Sequence, residues 1–290
     1  LHSFPTRRSS DLTLSVIGSG EAYYKNRILT ISGTGACDAY RIMEETVGFS
    51  KCENCWGHGY GIKSITDKVI IEEGITYLAD FPSISFVKEI VLPETLEGIR
   101  YEFFAPYAKV NIPSKVKFDA GLFANEYIVD KNNPNFSLDK NGSLYSKDMT
   151  VLYSYNGTEK ELKIPSTVKE IGARAFMGNE YIEKITVPSS VKKIGAHAFA
   201  GCINLKSVSF SYGLEEIGEY AFAYCFNLEE MVMPDSVTLL GTGAFEGCLS
   251  LKYVKLSENL KDICDNAFRA CFDLKVITIP SLCIAKYAKG

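Results

Sequence analysis

The chain has 290 residues, of which 46% are hydrophobic, and a formal net charge of −4. This composition is typical of a folded protein with ample material for a core. The weak acidity gives no reason to expect nucleic acid as a partner, because phosphate binding needs a clustered basic face. No apolar run reaches the roughly 18 residues of a transmembrane helix, so no membrane span is predicted.

Residues 1–12, LHSFPTRRSSDL, have no apolar periodicity and read like a sequencing adapter translated in one frame. We interpret them as a non-native leader and leave them out of the fold prediction. A genuine flexible leader is the alternative. If the leader is non-native, the true N-terminus is missing and a signal peptide would not be visible.

The region 13–66 is predicted to be an N-terminal β cap. Two β-rich runs, Leu14–Ile17 and Arg27–Ser32, flank a link that contains glycine and asparagine, which indicates a hairpin. A stack of coils needs such a cover, because an open end exposes unpaired backbone and core side chains.

The segment CENCWGH places Cys52, Cys55 and His58 close together within this cap, with Cys37 upstream. Thiolates and imidazole are zinc ligands, but the CxxCxxH spacing is only half of a usual site and no second pair follows. A disulfide is a further possibility in an oxidising compartment. We favour plain thiols in a loop, and the sequence predicts no cofactor.

Residues 67–163 are predicted to form irregular coils of the same stack. Ile71, Ile75 and Leu78 are spaced as the apolar residues of the later repeats are. The segment 130–157 then departs from the period. Its Asn-Gly pairs and the alternating runs SLYS and TVLYSY predict a hairpin inserted within one enlarged repeat.

Residues 164–290 contain five regular repeats and the C-terminal end. An Ala-Phe pair recurs every 23 residues, ending at Phe176, Phe199, Phe222, Phe245 and Phe268. A fixed period of this length is typical of a solenoid, in which each coil packs only on its neighbours. The predicted fold is therefore β-rich, with strands joined by short helical or irregular turns.

Counting each repeat from offset 0 at Ile164, the predicted core lies at offsets 0, 4, 7, 11, 12, 18 and 21. In the second repeat these positions are Val187, Val191, Ile194, Ala198, Phe199, Leu205 and Val208. Glycine at offset 8 predicts a turn where a side chain would interfere or where φ is positive. Four cysteines at offset 15 are predicted to be buried free thiols, since Asn179 takes the same column in the first repeat. His197, at a variable offset, is predicted to point outward.

The repeats VPSSVKKIGAHAFAGCINLKSV and their fellows, the opening LTISGTGA and the segment NPNFSLDKNGSLYSKDMTVLYSY resemble the BspA-type leucine-rich repeat proteins. The resemblance covers nearly all of the chain after Thr13. It implies a leucine-rich-repeat solenoid of a secreted or surface-attached bacterial protein, and some members of the family act as adhesins. No binding motif transfers residue by residue.

Outward strand positions between the core columns vary in charge and size, as a broad binding face would. The candidate partner-binding residues are Lys184, Thr186, Lys206, Ser209, Glu230, Val232, Tyr253 and Lys255. No GxSxG, HExxH or phosphate-loop motif is present, so no catalytic residue and no enzyme activity are predicted.

These observations favour a non-enzymatic, monomeric module at the cell exterior that binds proteins or glycans of other cells or of the matrix. A spacer that presents another domain is the alternative. A metal protein built on Cys52, Cys55 and His58 is a lesser one.

The half-site spacing of these three residues generates the first prediction. Purified protein should contain no stoichiometric zinc, because two cysteines and one histidine leave the tetrahedral set incomplete. Elemental analysis of the wild-type protein and of Cys52→Ser measures this. Stoichiometric zinc that the substitution removes would overturn our preference for thiols.

Overall fold

We describe the protein from a computed structural model, in residues 12–16, 20–37, 66–78, 87–99, 103–118, 122–261 and 263–279. Every regular element within these ranges is a β-strand. No helix long and apolar enough to cross a membrane occurs in them. The chain divides into two compact units, one of residues 1–119 and 124–133 and the other of residues 120–123 and 134–290.

The first eleven strands are β1 (Leu12–Val16), β2 (Gly20–Lys25), β3 (Ile28–Gly33), β4 (Gly35–Cys37), β5 (Lys68–Ile71), β6 (Ile75–Leu78), β7 (Glu89–Val91), β8 (Gly98–Ile99), β9 (Phe103–Asn111), β10 (Lys117–Phe118) and β11 (Leu122–Ile128). They form a sheet of order β1-β2-β3-β5-β7-β9-β11 and a second sheet of order β10-β8-β6-β4. Pairing is antiparallel from β1 to β3 and parallel from β3 onward to β9. Ile71, Ile75 and Leu78, predicted as core, are all buried.

The predicted hairpin of the cap is a three-stranded meander. The link between the two predicted strands contains β2, which pairs with β1 on one side and with β3 on the other. Its Ala-Tyr-Tyr run has no aliphatic alternation, but tyrosine fits a pleated surface well. The region predicted as a two-stranded hairpin therefore has one more strand than the sequence pattern indicated.

The remaining strands are β12 (Phe136–Leu138), β13 (Leu144–Ser146), β14 (Val151–Ser154), β15 (Glu161–Lys163), β16 (Glu170–Ile171), β17 (Lys184–Val187), β18 (Lys193–Ile194), β19 (Ser207–Phe210), β20 (Glu216–Ile217), β21 (Glu230–Val232), β22 (Leu239–Leu240), β23 (Tyr253–Lys255) and β24 (Val276–Thr278). One sheet has the order β12-β13-β14-β16-β18-β20-β22, and the sheets β15-β17-β19 and β21-β23-β24 are separate from it. Within the segment predicted as an inserted hairpin, β12, β13 and β14 pair antiparallel, and β14 pairs in parallel with β16.

The second unit is a stack of coils held by a column of aromatic rings. Phe176 and Phe199 stack with centroids 4.7 Å apart, and the rings of Phe199 and Phe222 are 4.9 Å apart. The column continues to Phe245 and Phe268 at 5.4 and 5.5 Å. Four of these five rings are at most 1% exposed, and full burial of one such side chain contributes about 1.5 to 3 kcal/mol. The seven predicted core residues of the second repeat are buried as well.

Backbone hydrogen bonds fix the same register from coil to coil. The N–H groups of Phe176, Phe199 and Phe222 donate to the carbonyl groups of Ala198, Ala221 and Ala244, two at 2.7 Å and the third at 2.8 Å. Glycine at offset 8 serves this close approach rather than a positive φ. A Cβ at Gly195 would lie 2.5 Å from the backbone nitrogen of Ala173 in the preceding coil. No side chain fits there without moving a coil.

Two other columns in the turns do have left-handed backbone. At offset 10 the φ values are 62° for Arg174, 56° for His197 and 51° for Tyr220. At offset 14 Gly201 has φ 71° and Ala270 has φ 56°. A residue with a side chain is disfavoured by roughly 1 to 2 kcal/mol in this conformation.

The offset 14 column predicts opposite effects for two opposite substitutions. Gly201→Ala should lower the free energy of unfolding by about 1 kcal/mol through backbone strain alone, since nothing lies closer than 3.8 Å to its added Cβ. Ala270→Gly should raise it by about 0.5 kcal/mol, because relief of strain exceeds the entropy cost of glycine.

Denaturant unfolding of the purified variants measures both effects. Ala200→Gly, one residue before the column, is the matched control and should destabilise. If Ala270→Gly destabilises as much as this control, the left-handed backbone at offset 14 does not carry the strain that we assign to it.

Candidate binding face

Seven of the eight candidate residues lie on the outward side of β17, β19, β21 and β23. The eighth, Lys206, directly precedes β19. Exposed and buried side chains alternate along these strands, as in Lys184–Val187, where Ile185 and Val187 are buried. Seven of the eight candidates are exposed and Lys255 is half-buried. Lys206 precedes β19, so it borders the face rather than lying within a strand.

Parallel pairing brings the candidates together in neighbouring coils. Thr186 lies opposite Ser209, and Val232 lies opposite Lys255. Glu230 lies opposite Tyr253. The N–H of Glu229 donates to the carbonyl of Lys206 at 3.2 Å, which connects the two short sheets. The candidates therefore form one surface, called here the strand face.

Ion pairs between coils already engage part of this surface. At offset 19 the charges of Lys160, Glu183 and Lys206 alternate, with both Nζ to carboxylate distances equal to 2.7 Å. Hydrogen bonds from these two lysines lower the pKa of Glu183 to about 2. Lys184 likewise pairs with Glu161 at 2.9 Å. The lysines at the start of the strand face are thus held by carboxylates of the adjacent coils.

The later part of the strand face is less engaged. Within the part of the chain that the structure describes, Glu230 and Lys255 form no ion pair. Tyr253 lies opposite Glu230 and Val232 lies opposite Lys255, with 37% and 46% of their surface exposed. One carboxylate, one ammonium group and two apolar side chains are therefore available to a partner in two adjacent coils.

A second exposed feature was missed in the sequence. Apolar residues at offset 16 form a ridge just before the strands, and its members are Ile203, Phe226, Leu249 and Phe272. Phe226, Leu249 and Phe272 are 40%, 39% and 82% exposed. The amide of Asn227 supports the ridge backbone by donating to the carbonyl of Ile203 at 2.8 Å. An apolar column outside the seven core offsets was the signal that could have revealed it.

The cysteines at offset 15 are confirmed as buried free thiols in Cys202, Cys225, Cys248 and Cys271. The Sγ of Cys202 donates to the carbonyl of Phe176 at 3.0 Å, and the Sγ of Cys225 donates to that of Phe199 at 3.2 Å. Burial raises the pKa of Cys202 to about 12. Since the thiolate is the reactive form, these side chains act as packing residues.

The outward position predicted for His197 is wrong. Its ring is half-buried and stacks on Tyr220 with centroids 5.1 Å apart. The Nδ1 atom is buried, and no hydrogen-bond partner for it lies among the residues that the structure describes. Burial, with a smaller contribution from the charge of Arg174, lowers the pKa of His197 to about 4. The left-handed backbone at His197 directs its ring along the stack, onto Tyr220.

Cys52, Cys55 and His58 lie outside the described residues, so the zinc hypothesis stays a prediction. Among the residues that the structure does describe, no three His, Cys, Asp or Glu side chains group as metal ligands.

Strand–turn–strand coils stacked at a fixed 23-residue period define a leucine-rich-repeat solenoid. Residues 169–288 match the family described as BspA type leucine rich repeat region, in six copies. The repeat region of this chain therefore belongs to the BspA-type leucine-rich repeat family. A comparison with curated proteins gave no match.

Solved bacterial structures share the fold over most of the chain. A leucine-rich repeat protein from Eubacterium ventriosum is 22% identical with a TM-score of 0.54, over 95% of this chain and 92% of that one. A leucine rich cell surface protein from Faecalibacterium prausnitzii is 18% identical with a TM-score of 0.56, over 93% and 95%. The pneumococcal vaccine antigen PcpA is 18% identical with a TM-score of 0.58, over 96% and 88%. At identities this low, what these structures share with the chain is the fold.

The environment of His197 predicts a loss of stability in weak acid. Because the pKa of His197 falls from about 6.5 when unfolded to about 4 when folded, the unfolded chain binds the extra proton first. Stability should therefore decrease as the pH falls from about 6.5 towards 4. The slope should stay below about 1.4 kcal/mol per pH unit, since the ring is partly exposed.

Chemical unfolding at a series of pH values measures this slope. His197→Asn retains a residue that tolerates the left-handed corner but does not titrate, so its stability should change less in this window. Lys160 and Lys206 stabilise the charged form of Glu183, whose contribution is lost only at lower pH. Equal slopes for the wild type and His197→Asn would contradict the prediction.

Proposed function

We propose that this chain is a non-enzymatic interaction module that binds proteins or glycans at the cell exterior through its strand face. The observation that carries the proposal is the group formed in adjacent coils by the exposed residues Glu230, Val232 and Tyr253 with the half-buried Lys255. It combines an aromatic anchor with both signs of charge, the mixture that protein-binding surfaces use.

The stack beneath these residues supports the proposal. Met231 and Val254, which alternate with them along β21 and β23, are fully buried. A surface held by buried neighbours loses little conformational freedom when a partner binds, which favours affinity. Core offsets keep one chemistry from coil to coil while the strand face varies, so the partner contacts can change without loss of the fold.

The exposed ridge adds apolar area close to the strand face. Phe226 and Leu249 belong to the same two coils as the strands that carry Val232 and Tyr253. Large exposed apolar side chains that recur along one side of a stack are typical of interaction surfaces.

Location at the cell exterior is supported by the kind of relatives found. One structure with the same fold is a cell surface protein and another is a vaccine antigen. Buried, protonated thiols such as Cys202 are also compatible with an oxidising environment.

Paired substitutions on the two sides of the second unit test this proposal. Val232→Ser with Tyr253→Ala should lower binding to matrix proteins or glycans by about tenfold or more, because removal of a central aromatic anchor typically costs at least 2 kcal/mol. An array of both ligand classes, followed by a binding isotherm on any hit, measures the loss.

The matched control is Leu239→Ser with Tyr212→Ala. These side chains are 54% and 73% exposed, more than Val232 and Tyr253, and neither is a residue of the strand face. Leu239 belongs to β22, and Tyr212 follows β19. Equal loss in both double variants would place the binding elsewhere. No binding by the wild type to any array member would instead favour the spacer.

The spacer is the second candidate, and the ion pairs favour it. Lys184 and Lys206, two of the eight predicted contact residues, are engaged by Glu161 and Glu183 of neighbouring coils. Charges used inside the stack stiffen the surface without offering it to a partner. In this role the repeats would present another domain, and the strand face would tolerate substitution.

A further inference from the structure

The hairpin between β12 and β13 carries an Asn-Gly pair at its tip. The Oδ1 atom of Asp139 accepts hydrogen bonds from the N–H groups of Asn141 at 2.8 Å and Ser143 at 2.9 Å. Gly142 has a φ of 80°, and nothing lies within 4 Å of the position that its Cβ would occupy. Asn141 itself is exposed. The pair therefore lies in a tight turn that water reaches freely.

The amide of Asn141 is the outer end of a hydrogen-bond chain that leads to the aromatic column. Its Nδ2 donates to Oε1 of Glu159 at 2.8 Å. The other carboxylate oxygen of Glu159 accepts a hydrogen bond from the hydroxyl of Tyr155. Tyr155 is only 7% exposed, and its ring lies 4.8 Å from that of Phe176. The exposed tip is thus connected to the first ring of the stack in three steps.

We propose that Asn141 is a site of spontaneous deamidation, and that its conversion loosens the start of the phenylalanine column. In the folded turn the N–H of Gly142 donates to the carbonyl of Asp139 at 3.1 Å, and the reaction begins when fluctuation of the turn breaks this hydrogen bond. The main-chain nitrogen of Gly142 then gives its proton to a solvent base and attacks Cγ of Asn141. The new C–N bond closes a succinimide, the bond from Cγ to Nδ2 breaks, and ammonia leaves with the returned proton. One water molecule then opens the ring to aspartate or isoaspartate, so the net change is one water consumed and one ammonia released.

The absence of a side chain at residue 142 makes this attack possible. A Cβ on the following residue hinders approach of its nitrogen to the asparagine side chain, and glycine has none. The reaction needs no oxidant, metal or second protein. Only solvent base and water take part, and both reach an exposed turn.

The second Asn-Gly pair of the hairpin region is protected. Asn156 is half-buried, and its N–H donates to the hydroxyl of Ser143 at 3.1 Å. A Cβ at Gly157 would overlap side-chain atoms of Tyr155 and Glu159, so this glycine is enclosed where Gly142 is open. The carbonyl of Gly157 also accepts a hydrogen bond from Asn179. The two pairs have the same sequence, and burial distinguishes them: Asn141 is exposed, whereas Asn156 is half-buried and Gly157 is buried. We therefore expect the first pair to react faster.

Deamidation would reverse the interaction at Glu159. A donor amide 2.8 Å from its carboxylate becomes a second carboxylate. Hydrogen bonds from Tyr155, and to a smaller extent from Asn141, now keep the pKa of Glu159 below its usual value. Loss of one donor and gain of a like charge oppose the ionised form of Glu159 and pull it from Tyr155. Isoaspartate would in addition lengthen the main chain at the turn.

Peptide mass spectrometry on the full chain tests the site directly. After incubation in mildly alkaline buffer at physiological temperature, peptides that contain Asn141 should show progressive deamidation, and those that contain Asn156 should not. Asn132 is an internal control. It lies in a second Asp-Lys-Asn turn, where its N–H donates to Asp130, but the residue after it is Asn133 instead of glycine. Deamidation of Asn141 no faster than that of Asn132 or Asn156 would overturn the proposal.

Substitutions test the structural consequence. Asn141→Asp should lower the thermal unfolding midpoint by about 2 to 6 °C at neutral pH. The substitution removes a charge-assisted hydrogen bond, and in a domain of this size the lost free energy corresponds to a shift of a few degrees. Asn132→Asp is the matched control and should leave the midpoint unchanged. The difference between the two variants should shrink below about pH 4, where the carboxyl groups become protonated. Equal midpoints for both variants at neutral pH would show that the chain to Tyr155 has no influence on the stack.

Discussion

The register between successive coils is the constraint on which the rest of this structure depends. A 23-residue period places Phe on Phe at 4.7 to 5.5 Å and sets alternate turn N–H groups, such as that of Phe176, against carbonyl groups of the next coil. Both interactions need the same offset, so an inserted residue would break them together. The strands of the inserted segment, β12 to β14, are antiparallel and stand at the start of the same sheet, in which β14 pairs in parallel with β16.

This constraint divides the residues of each coil into two classes. Positions that face the stack are restricted in chemistry, as at Gly195, where a Cβ would lie 2.5 Å from the backbone nitrogen of Ala173 in the preceding coil. Positions on the strand face are held at fixed spacing but are free in chemistry. Alternating charges at offset 19, such as Lys160, Glu183 and Lys206, use part of that freedom for pairing between coils. What remains, chiefly around Val232 and Tyr253, is the surface that we propose for a partner.

Most of the core could be predicted from the sequence, because periodic burial leaves a periodic apolar signal. The seven core offsets and the buried cysteines followed from the repeat alone. Backbone conformation left no such signal: Arg174, His197 and Tyr220 differ in every side-chain property, yet all three have positive φ. Variability at that column was read as exposure, whereas it reflects a corner defined by its dihedral angles. The exposed ridge at Phe226 and Leu249 was missed for the opposite reason, since apolar residues on the surface look like core residues in a sequence. The strand β2 was missed because tyrosines, rather than aliphatic residues, give it its β character.

The thiol column has a consequence for the order in which the protein assembles. Each Sγ donates to a carbonyl of the preceding coil, as Cys225 does to Phe199, and it is covered only when its neighbours are in place. A cysteine in an unstacked coil is an ordinary thiol that can be alkylated or oxidised, whereas the same cysteine in the stack is chemically silent. The reactivity of each thiol in the column therefore shows whether its coil has docked, and each of the last four repeats contains one such thiol. As each coil docks onto the stack, its thiol in this column loses its reactivity.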